Sequence, residues 1–145
     1  MTIVVRSNPM SELPEIKVTF PGGLRVDAEY KGFVVKTDQP TQYGGDGTAP
    51  APFDLFLVSI ATCAGFYIVA FCREREIPTD KSGVVMRMEK DPVSKLIGKI
   101  SIEVRLPAEF PERYKRAIIK AVDTCTVKLN ILKAPAFEIV TKISD

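Results

Sequence analysis

The stretch "PFDLFLVSIATCAGFYIVAFC" (residues 52–72) decides the fold, because it predicts one long helix that is apolar on nearly every side. Pro52 suits the first position of a helix, and Asp54 suits the first turn, where a carboxylate meets the positive end of the helix dipole. Pro78 is a stop signal, so we expect the helix to end near Glu76.

A run of about 20 apolar residues is also long enough to cross a bilayer. Two features argue against a membrane span: the small residues "ATCAG" (61–65), and the mixed charges of "CREREIP" (72–78) that follow. We therefore expect a long buried helix and no membrane. A helix of about 25 residues is roughly 37 Å long, longer than a small domain is wide. We expect a second subunit to cover it, in a homodimer.

Short β-rich segments flank this helix, and two shorter helical segments follow it. The strands are predicted at 16–20, 24–30, 33–37, 84–90, 99–106 and 137–143, an amphipathic helix at 111–122, and a turn into a short helical segment at 123–132. The order βββ-α-ββ-α-β predicts an α+β fold rather than a doubly wound parallel sheet. We expect one domain over residues 1–145.

Composition and charge exclude several classes of function. The net charge is +2, and acidic and basic residues are mixed along the chain, so no basic surface for nucleic acid or a membrane is predicted. The chain has no histidine, which excludes Cys–His pairs, Ser-His-Asp triads and most zinc sites. The first segment, "MTIVVRSNPMSELPE" (1–15), lacks the features of a secretion signal, which predicts a cytoplasmic protein.

Three cysteines are the candidates for chemistry: Cys63, Cys72 and Cys125. Without histidine, a reactive thiol must be activated by Arg, Lys, a helix N-terminus or the substrate. Cys63 and Cys72 are nine residues apart on one helix, so they point to opposite faces and cannot form a disulfide with each other. Cys72 is predicted where the helix meets water, as a partly buried spectator.

The residues alone leave the roles of Cys63 and Cys125 open. A cysteine such as Cys63 in an apolar run is most often a core residue, because free cysteine is among the most buried types. Thr124 or Cys125 can begin a short helix, whose unpaired N–H groups favour a thiolate. Local chemistry therefore predicts Cys125 as the easier thiolate, although it can also be an ordinary cysteine at a helix boundary.

The stretch "PTQYGGDGTAPAPFDLFLVSIATC" (40–63), followed by "DTCTV" (123–127), resembles the OsmC-like family of osmotically inducible and organic hydroperoxide resistance proteins. The family pattern is GG-x-G-T-x-P-E-x-L-x-x-A-x-x-x-C-F, and later C-P-V-S. The order of the predicted elements also agrees, so the resemblance covers nearly the whole chain. The matching residues are Gly44, Gly45, Gly47, Thr48, Pro52, Leu55, Ala61, Cys63, Cys125 and Val127.

This resemblance implies an intertwined homodimer with two active sites at the subunit interface, and a thiol peroxidase without metal, haem or other cofactor. Cys63 would attack an organic hydroperoxide and become a sulfenic acid. Cys125 would condense with it to a disulfide, which a dithiol reductant then reduces. An apolar surround would favour organic peroxides, but it also raises a thiol pKa unless a cation compensates.

The family holds its reactive thiol with a glutamate just after the helix-starting proline and with an arginine. Here Phe53 follows that proline and Asp54 comes next, while Tyr43 stands near one family position for the arginine. Another branch carries the arginine after its first strand, where this chain has Arg25. Asp54 and Arg25 are therefore the candidate activating pair. Their alternatives are a carboxylate at a helix start and a solvent-facing strand residue.

Two other functions stay open beside the hydroperoxide reductase. One is another cysteine-based activity on a persulfide, a disulfide or an electrophile. The other is a non-catalytic dimer that binds an apolar ligand at its interface.

Overall fold

The computed structural model describes residues 10–144, which belong to two compact units. The first unit extends to Leu55 and the second begins at Phe56. Both helices and strands are present, so the α+β class is confirmed. A single domain over residues 1–145 stays a prediction. Residues 1–9, most of the segment used to argue against a secretion signal, lie outside the described residues.

The first unit contains an antiparallel meander of β1 (Lys17–Gly22), β2 (Arg25–Tyr30) and β3 (Phe33–Thr37) in that order. The turn between β2 and β3 consists of Lys31 and Gly32, with φ of 49° and 80°. Two consecutive residues with positive φ make a tight turn whose twist matches that of the paired strands. The predicted meander is confirmed.

Helix α1 (Pro52–Glu74) begins at the predicted proline and ends two residues before the expected Glu76. The second unit continues with a hairpin of β4 (Gly83–Lys90) and β5 (Ile97–Arg105), which pair antiparallel. Helix α2 (Lys115–Asp123) and the short helix α3 (Thr126–Leu132) follow. The predicted hairpin and both later helical segments are therefore present.

The core of the second unit forms where α1 packs with α2 and the hairpin. Its buried residues are Ala64, Ile68, Phe71, Cys72, Phe110, Ile118 and Val122. The members from α1 recur at intervals of three or four residues, which places them along one stripe of the helix. Partly buried Val84, Ile102 and Val104 of the hairpin cover this stripe.

Much of the remaining surface of α1 is apolar and exposed. By length and composition α1 could cross a membrane: its best 18-residue window has a mean hydropathy of 2.3, and 28% of that window is buried. The core helix of a soluble protein passes the same test of length and composition, and α1 packs against the core of the second unit along its buried stripe. Val58, Phe66 and Val69 remain exposed in the single chain. The expected burial of α1 is therefore confined to one stripe within this chain.

The predicted strand over residues 137–143 is wrong, because residues 134–144 form neither helix nor strand. A strand needs a neighbour for its N–H and C=O groups. The two sheets of the described residues are β1-β2-β3 and β4-β5, and neither pairs with this segment. Its apolar side chains are consequently exposed, with Ile139 92% and Ile143 93% accessible.

Candidate functional site

Cys63 and Cys125 lie together in the second unit, where α1 meets the start of α3. Cys63 is half-buried on α1, and Cys125 immediately precedes α3 and is only 2% exposed. The backbone carbonyl of Cys125 accepts a hydrogen bond from the Leu129 N–H at 3.0 Å, which starts α3. The Cys125 thiol hydrogen-bonds to the Cys63 sulfur. The predicted position of Cys125 at the start of a short helix is confirmed.

The environment of Cys63 favours its thiolate. Burial acts to raise the pKa of the Cys63 thiol, but three hydrogen bonds outweigh it and hold that pKa below its ordinary value. They come from the Cys125 thiol and from the backbone N–H groups of Val127 and Thr126. N–H groups in the first turn of a helix have no acceptor within that helix, so they are free to stabilise a negative sulfur. Of the possible activators, the structure supplies a helix N-terminus.

The environment of Cys125 favours its neutral thiol. Burial raises the pKa of Cys125, and so do its hydrogen bond to Cys63 and the negative charge of Cys63. The backbone N–H groups of Lys128 and Val127 lower this pKa, but they do not compensate. The directions of these two pKa shifts run against the prediction that Cys125 is the easier thiolate. The reason is that N–H groups in the first turn of α3 are directed at the Cys63 sulfur as well as at the Cys125 sulfur.

An apolar pocket of about 330 Å³ lies beside Cys125 in the second unit. Its lining consists mainly of isoleucine and valine side chains, with the ion pair of Asp123 and Lys128 among the polar residues. The complete lining is Ile60, Ile100, Ile102, Val104, Ile119, Val122, Asp123, Cys125, Lys128 and Ile131. Such a pocket can hold an alkyl group close to the Cys125 sulfur.

Cys72 is a core residue rather than a partly buried one at the water boundary. Its exposure is 0%, and it packs with Ile118 and the other residues of the core. Burial raises the pKa of the Cys72 thiol, although the charge of Arg75 opposes that rise. The position near the end of α1 suggested contact with water, but α2 and its flanking residues cover this turn of the helix. A buried neutral thiol is chemically inert, as expected of a spectator.

The other two predicted site residues, Arg25 and Asp54, belong to the first unit. The Arg25 guanidinium donates a hydrogen bond to the Asp46 carboxylate at 2.9 Å. The Asp54 carboxylate accepts one from the Ala51 N–H at 3.0 Å, a contact that caps the start of α1. Catalytic roles for Arg25 and Asp54 stay predictions.

The glycine-rich connection after β3 is organised by the buried carboxylate of Asp38, which sequence analysis did not single out. This carboxylate accepts hydrogen bonds from the Thr48 hydroxyl at 2.7 Å and from the N–H groups of Thr48, Gln39 and Asp46 at 3.1, 2.7 and 3.3 Å. These bonds, that of the Thr48 hydroxyl foremost, lower the pKa of Asp38 to about 2. One charged side chain therefore ties the start of the connection to residues 46 and 48 within it.

The sequence analysis did not predict the roles of two kinds of residue. Asp38 had a local signal, because aspartate before a loop rich in glycine and proline commonly binds the N–H groups of the following turn. Thr126 and Val127 had none, because they act through backbone N–H groups that every residue except proline carries. Among residues 10–144, no group of three or more Cys, Asp or Glu residues is arranged to hold a metal ion.

Solved structures of similar fold cover most of the chain. A protein of Psychrobacter arcticus 273-4, assigned to osmotic stress induction and detoxification, has a TM-score of 0.69 at 23% identity over 83% of this chain and 90% of that one. An OsmC-like protein from Mycoplasma pneumoniae has a TM-score of 0.62 at 16% identity over 86% and 90%. A Vibrio cholerae O1 protein assigned to organic hydroperoxide resistance, with captopril bound in one of its active sites, has a TM-score of 0.50 at 25% identity over 89% and 91%.

The comparison with curated proteins found no match. The family model described as OsmC-like protein matches residues 45–140, which is more than half of the chain. The matched range begins within the glycine-rich connection and includes both Cys63 and Cys125. The resemblance inferred from the sequence is thereby confirmed, and the chain belongs to the OsmC-like protein family.

Proposed function

We propose that this protein is a thiol-dependent peroxidase that reduces organic hydroperoxides with Cys63 as the nucleophile and Cys125 as the resolving thiol. The observation that carries this proposal is the contact between the Cys63 and Cys125 thiols at the start of α3. The pKa of Cys63 is lowered, against its burial, by hydrogen bonds, whereas burial and the neighbouring Cys63 raise the pKa of Cys125. The Vibrio cholerae protein of similar fold, which is 25% identical to this chain, is assigned to organic hydroperoxide resistance. This assignment supports organic hydroperoxides as the class of substrate.

In the first step the Cys63 thiolate attacks the terminal oxygen of the hydroperoxide. The O–O bond breaks, the alkoxide takes up a proton and leaves as an alcohol, and Cys63 retains the oxygen as a sulfenic acid. An apolar surround favours a peroxide with an alkyl group over hydrogen peroxide, because the alkyl group can be removed from water.

In the second step the Cys125 sulfur attacks the Cys63 sulfur. The S–O bond breaks and the oxygen leaves as water, with one hydrogen from the sulfenic acid and one from the Cys125 thiol. Oxidation of Cys63 removes its negative charge, and that charge is one of the causes that raise the pKa of Cys125. The resolving thiol thus ionises more readily once its partner has reacted.

In the last step a dithiol reductant opens the disulfide by two thiol–disulfide exchanges and leaves as its own disulfide. Such a cycle requires a reducing compartment, which supports the proposed cytoplasmic location. Asp54 and Arg25 complete the proposal as the candidate pair that holds the substrate and the reactive thiol.

Peroxide turnover and intact mass test this function together. Wild-type protein given tert-butyl hydroperoxide without a reductant should lose two hydrogen atoms, and with a dithiol it should consume peroxide well above the background rate. A Cys63→Ser variant should do neither, because the nucleophile is absent. Cys72→Ala is the matched control and should behave as wild type. Background consumption by wild type would contradict the proposal.

The pocket beside Cys125 favours a second candidate function, which is the binding of an apolar ligand without chemistry. Its lining of isoleucine and valine suits an alkyl chain. The mass measurement separates the two functions, since simple binding leaves both thiols unchanged after peroxide. A mass change with an electrophile or a persulfide, but not with peroxide, would instead indicate another cysteine-based activity.

We also propose that the protein is a homodimer. The support is apolar surface left exposed at two places in the second unit, on α1 and in the C-terminal segment. The residues are Val58, Phe66 and Val69 on α1, and Phe137, Ile139, Val140 and Ile143 in the C-terminal segment. Surface of this kind typically marks an interface between subunits.

Light scattering should therefore give twice the chain mass of 16.0 kDa. Ile139→Asp should weaken the dimer at least about tenfold, because it would bury an unpaired charge in the interface. Lys142→Asp is the matched control, because it changes a residue of the same segment that is already charged. The dimer of this variant should dissociate less than the dimer of Ile139→Asp. A wild-type mass of one chain at micromolar concentration would contradict the dimer.

A further inference from the structure

Tyr67 of α1 lies on the same side of the helix as Cys63, because residues four apart are neighbours on a helix surface. The Tyr67 hydroxyl and the Thr126 hydroxyl are 2.9 Å apart and share a hydrogen bond. Thr126 is the first residue of α3, and its backbone N–H is one of the two that stabilise the Cys63 sulfur. Thr126 therefore connects the phenol of Tyr67 to Cys63, the candidate nucleophile.

Helix α3 needs such a connection more than most helices do. It has only seven residues, and none of them is buried. A helix of this length is not stable by itself in water, and most helices in proteins are fixed by packing of an apolar face. The Thr126 carbonyl accepts a hydrogen bond from the Asn130 side chain at 2.9 Å, but that bond lies within α3 and leaves the position of α3 against α1 open.

We propose that Tyr67 is a positioning residue whose hydroxyl, through the Thr126 hydroxyl, holds the first turn of α3 with its N–H groups directed at the Cys63 sulfur. The proposal rests on the proposed function, in which Cys63 is the reacting thiol. The sulfur gains two backbone donors only while Thr126 and Val127 stay in place. Their directions depend on where α3 begins, and the hydroxyl pair ties that beginning to the helix that carries Cys63.

The pH dependence of alkylation at Cys63 tests this role directly. Reduced protein is treated with iodoacetamide, and the rate at the Cys63 peptide is followed by mass spectrometry from pH 5 to 10. Tyr67→Phe keeps the aromatic ring and removes only the hydroxyl. The thiolate fraction should fall, with alkylation at pH 7 slower on the order of fivefold and the profile displaced to higher pH.

Variants of Thr126 give a matched comparison. Thr126→Val should displace the profile as Tyr67→Phe does, and Thr126→Ser should leave it close to wild type, because serine keeps a hydroxyl. The double variant Tyr67→Phe with Thr126→Val should be no slower than either single variant, since both changes break the same bond. Tyr43→Phe removes a phenol from an exposed residue of the first unit and should leave the profile unchanged.

An unchanged profile for Tyr67→Phe would overturn the proposal, even if its melting temperature falls, because the hydroxyl would then support only the fold. Additive effects of the two single changes would overturn it as well. The measurement involves no peroxide. An inactive wild-type protein would therefore contradict the proposed function without affecting the result for Tyr67.

Discussion

A Cys125→Ser variant is expected to lose its peroxidase activity permanently in excess organic hydroperoxide, whereas wild-type protein regains it when a dithiol is added. Serine still offers a hydrogen-bond donor to the Cys63 sulfur, so the first oxidation should proceed. The sulfenic acid then has no thiol partner, and further peroxide converts it to the sulfinic and sulfonic acids, which dithiols do not reduce. Activity recovered after peroxide removal should be at least about tenfold lower than in wild type.

The intact mass of the protein after peroxide treatment tests this expectation, because it shows which oxidation product Cys63 has formed. The variant should gain two or three oxygen atoms at Cys63, whereas wild type should lose two hydrogens. Cys72→Ala is the control, because Cys72 packs in the core, and it should recover as wild type does. Full recovery of the Cys125→Ser variant would show that a group other than Cys125 protects Cys63.

The second large effect is expected from Gly45→Ala in the glycine-rich connection. A Cβ atom at residue 45 would lie 1.9 Å from the carbonyl oxygen of Gln39 and 2.5 Å from its carbonyl carbon. Both are backbone atoms, so the clash cannot be relieved by rotating a side chain, and the connection must change its path. The free energy of unfolding should fall by about 3 kcal/mol or more.

Denaturant unfolding of the purified proteins measures this loss. Gly83→Ala is the matched control, because a Cβ atom at the start of β4 meets no heavy atom within 4 Å. Its free energy of unfolding should stay within about 0.5 kcal/mol of wild type. Equal stability of the two variants would contradict the close approach of residue 45 to Gln39.

The parts of the fold that were predictable from sequence are those with local causes. The start of α1 follows from Pro52 and from the apolar run behind it, and the turn at Lys31 and Gly32 follows from a glycine between two β-rich segments. Cys63 and Cys125 could be paired only through the family resemblance, since they are far apart in sequence. Their contact confirms that the fold brings these two thiols together.

The remaining features depend on contacts between distant segments. The ionisation of Cys63 depends on the packing of α1 against the first turn of α3, which no local pattern reveals. Residues 137–143 are rich in residues that favour strands, but a strand forms only beside a neighbour, and the described residues offer it none. Cys72 is buried in a core cluster that residues distant in sequence complete, although its own helix ends two residues later in charged side chains.

The buried carboxylate of Asp38 has a consequence for acid stress. Folding lowers the pKa of Asp38 from 3.8 to about 2, so its stabilising bonds are fully present above the unfolded value and are lost only as the pH falls through the folded one. The side chain therefore keeps its charge below the pH at which ordinary carboxylates are protonated. The connection that contains Gly45 should hold its shape through an acid shock that already protonates ordinary surface carboxylates.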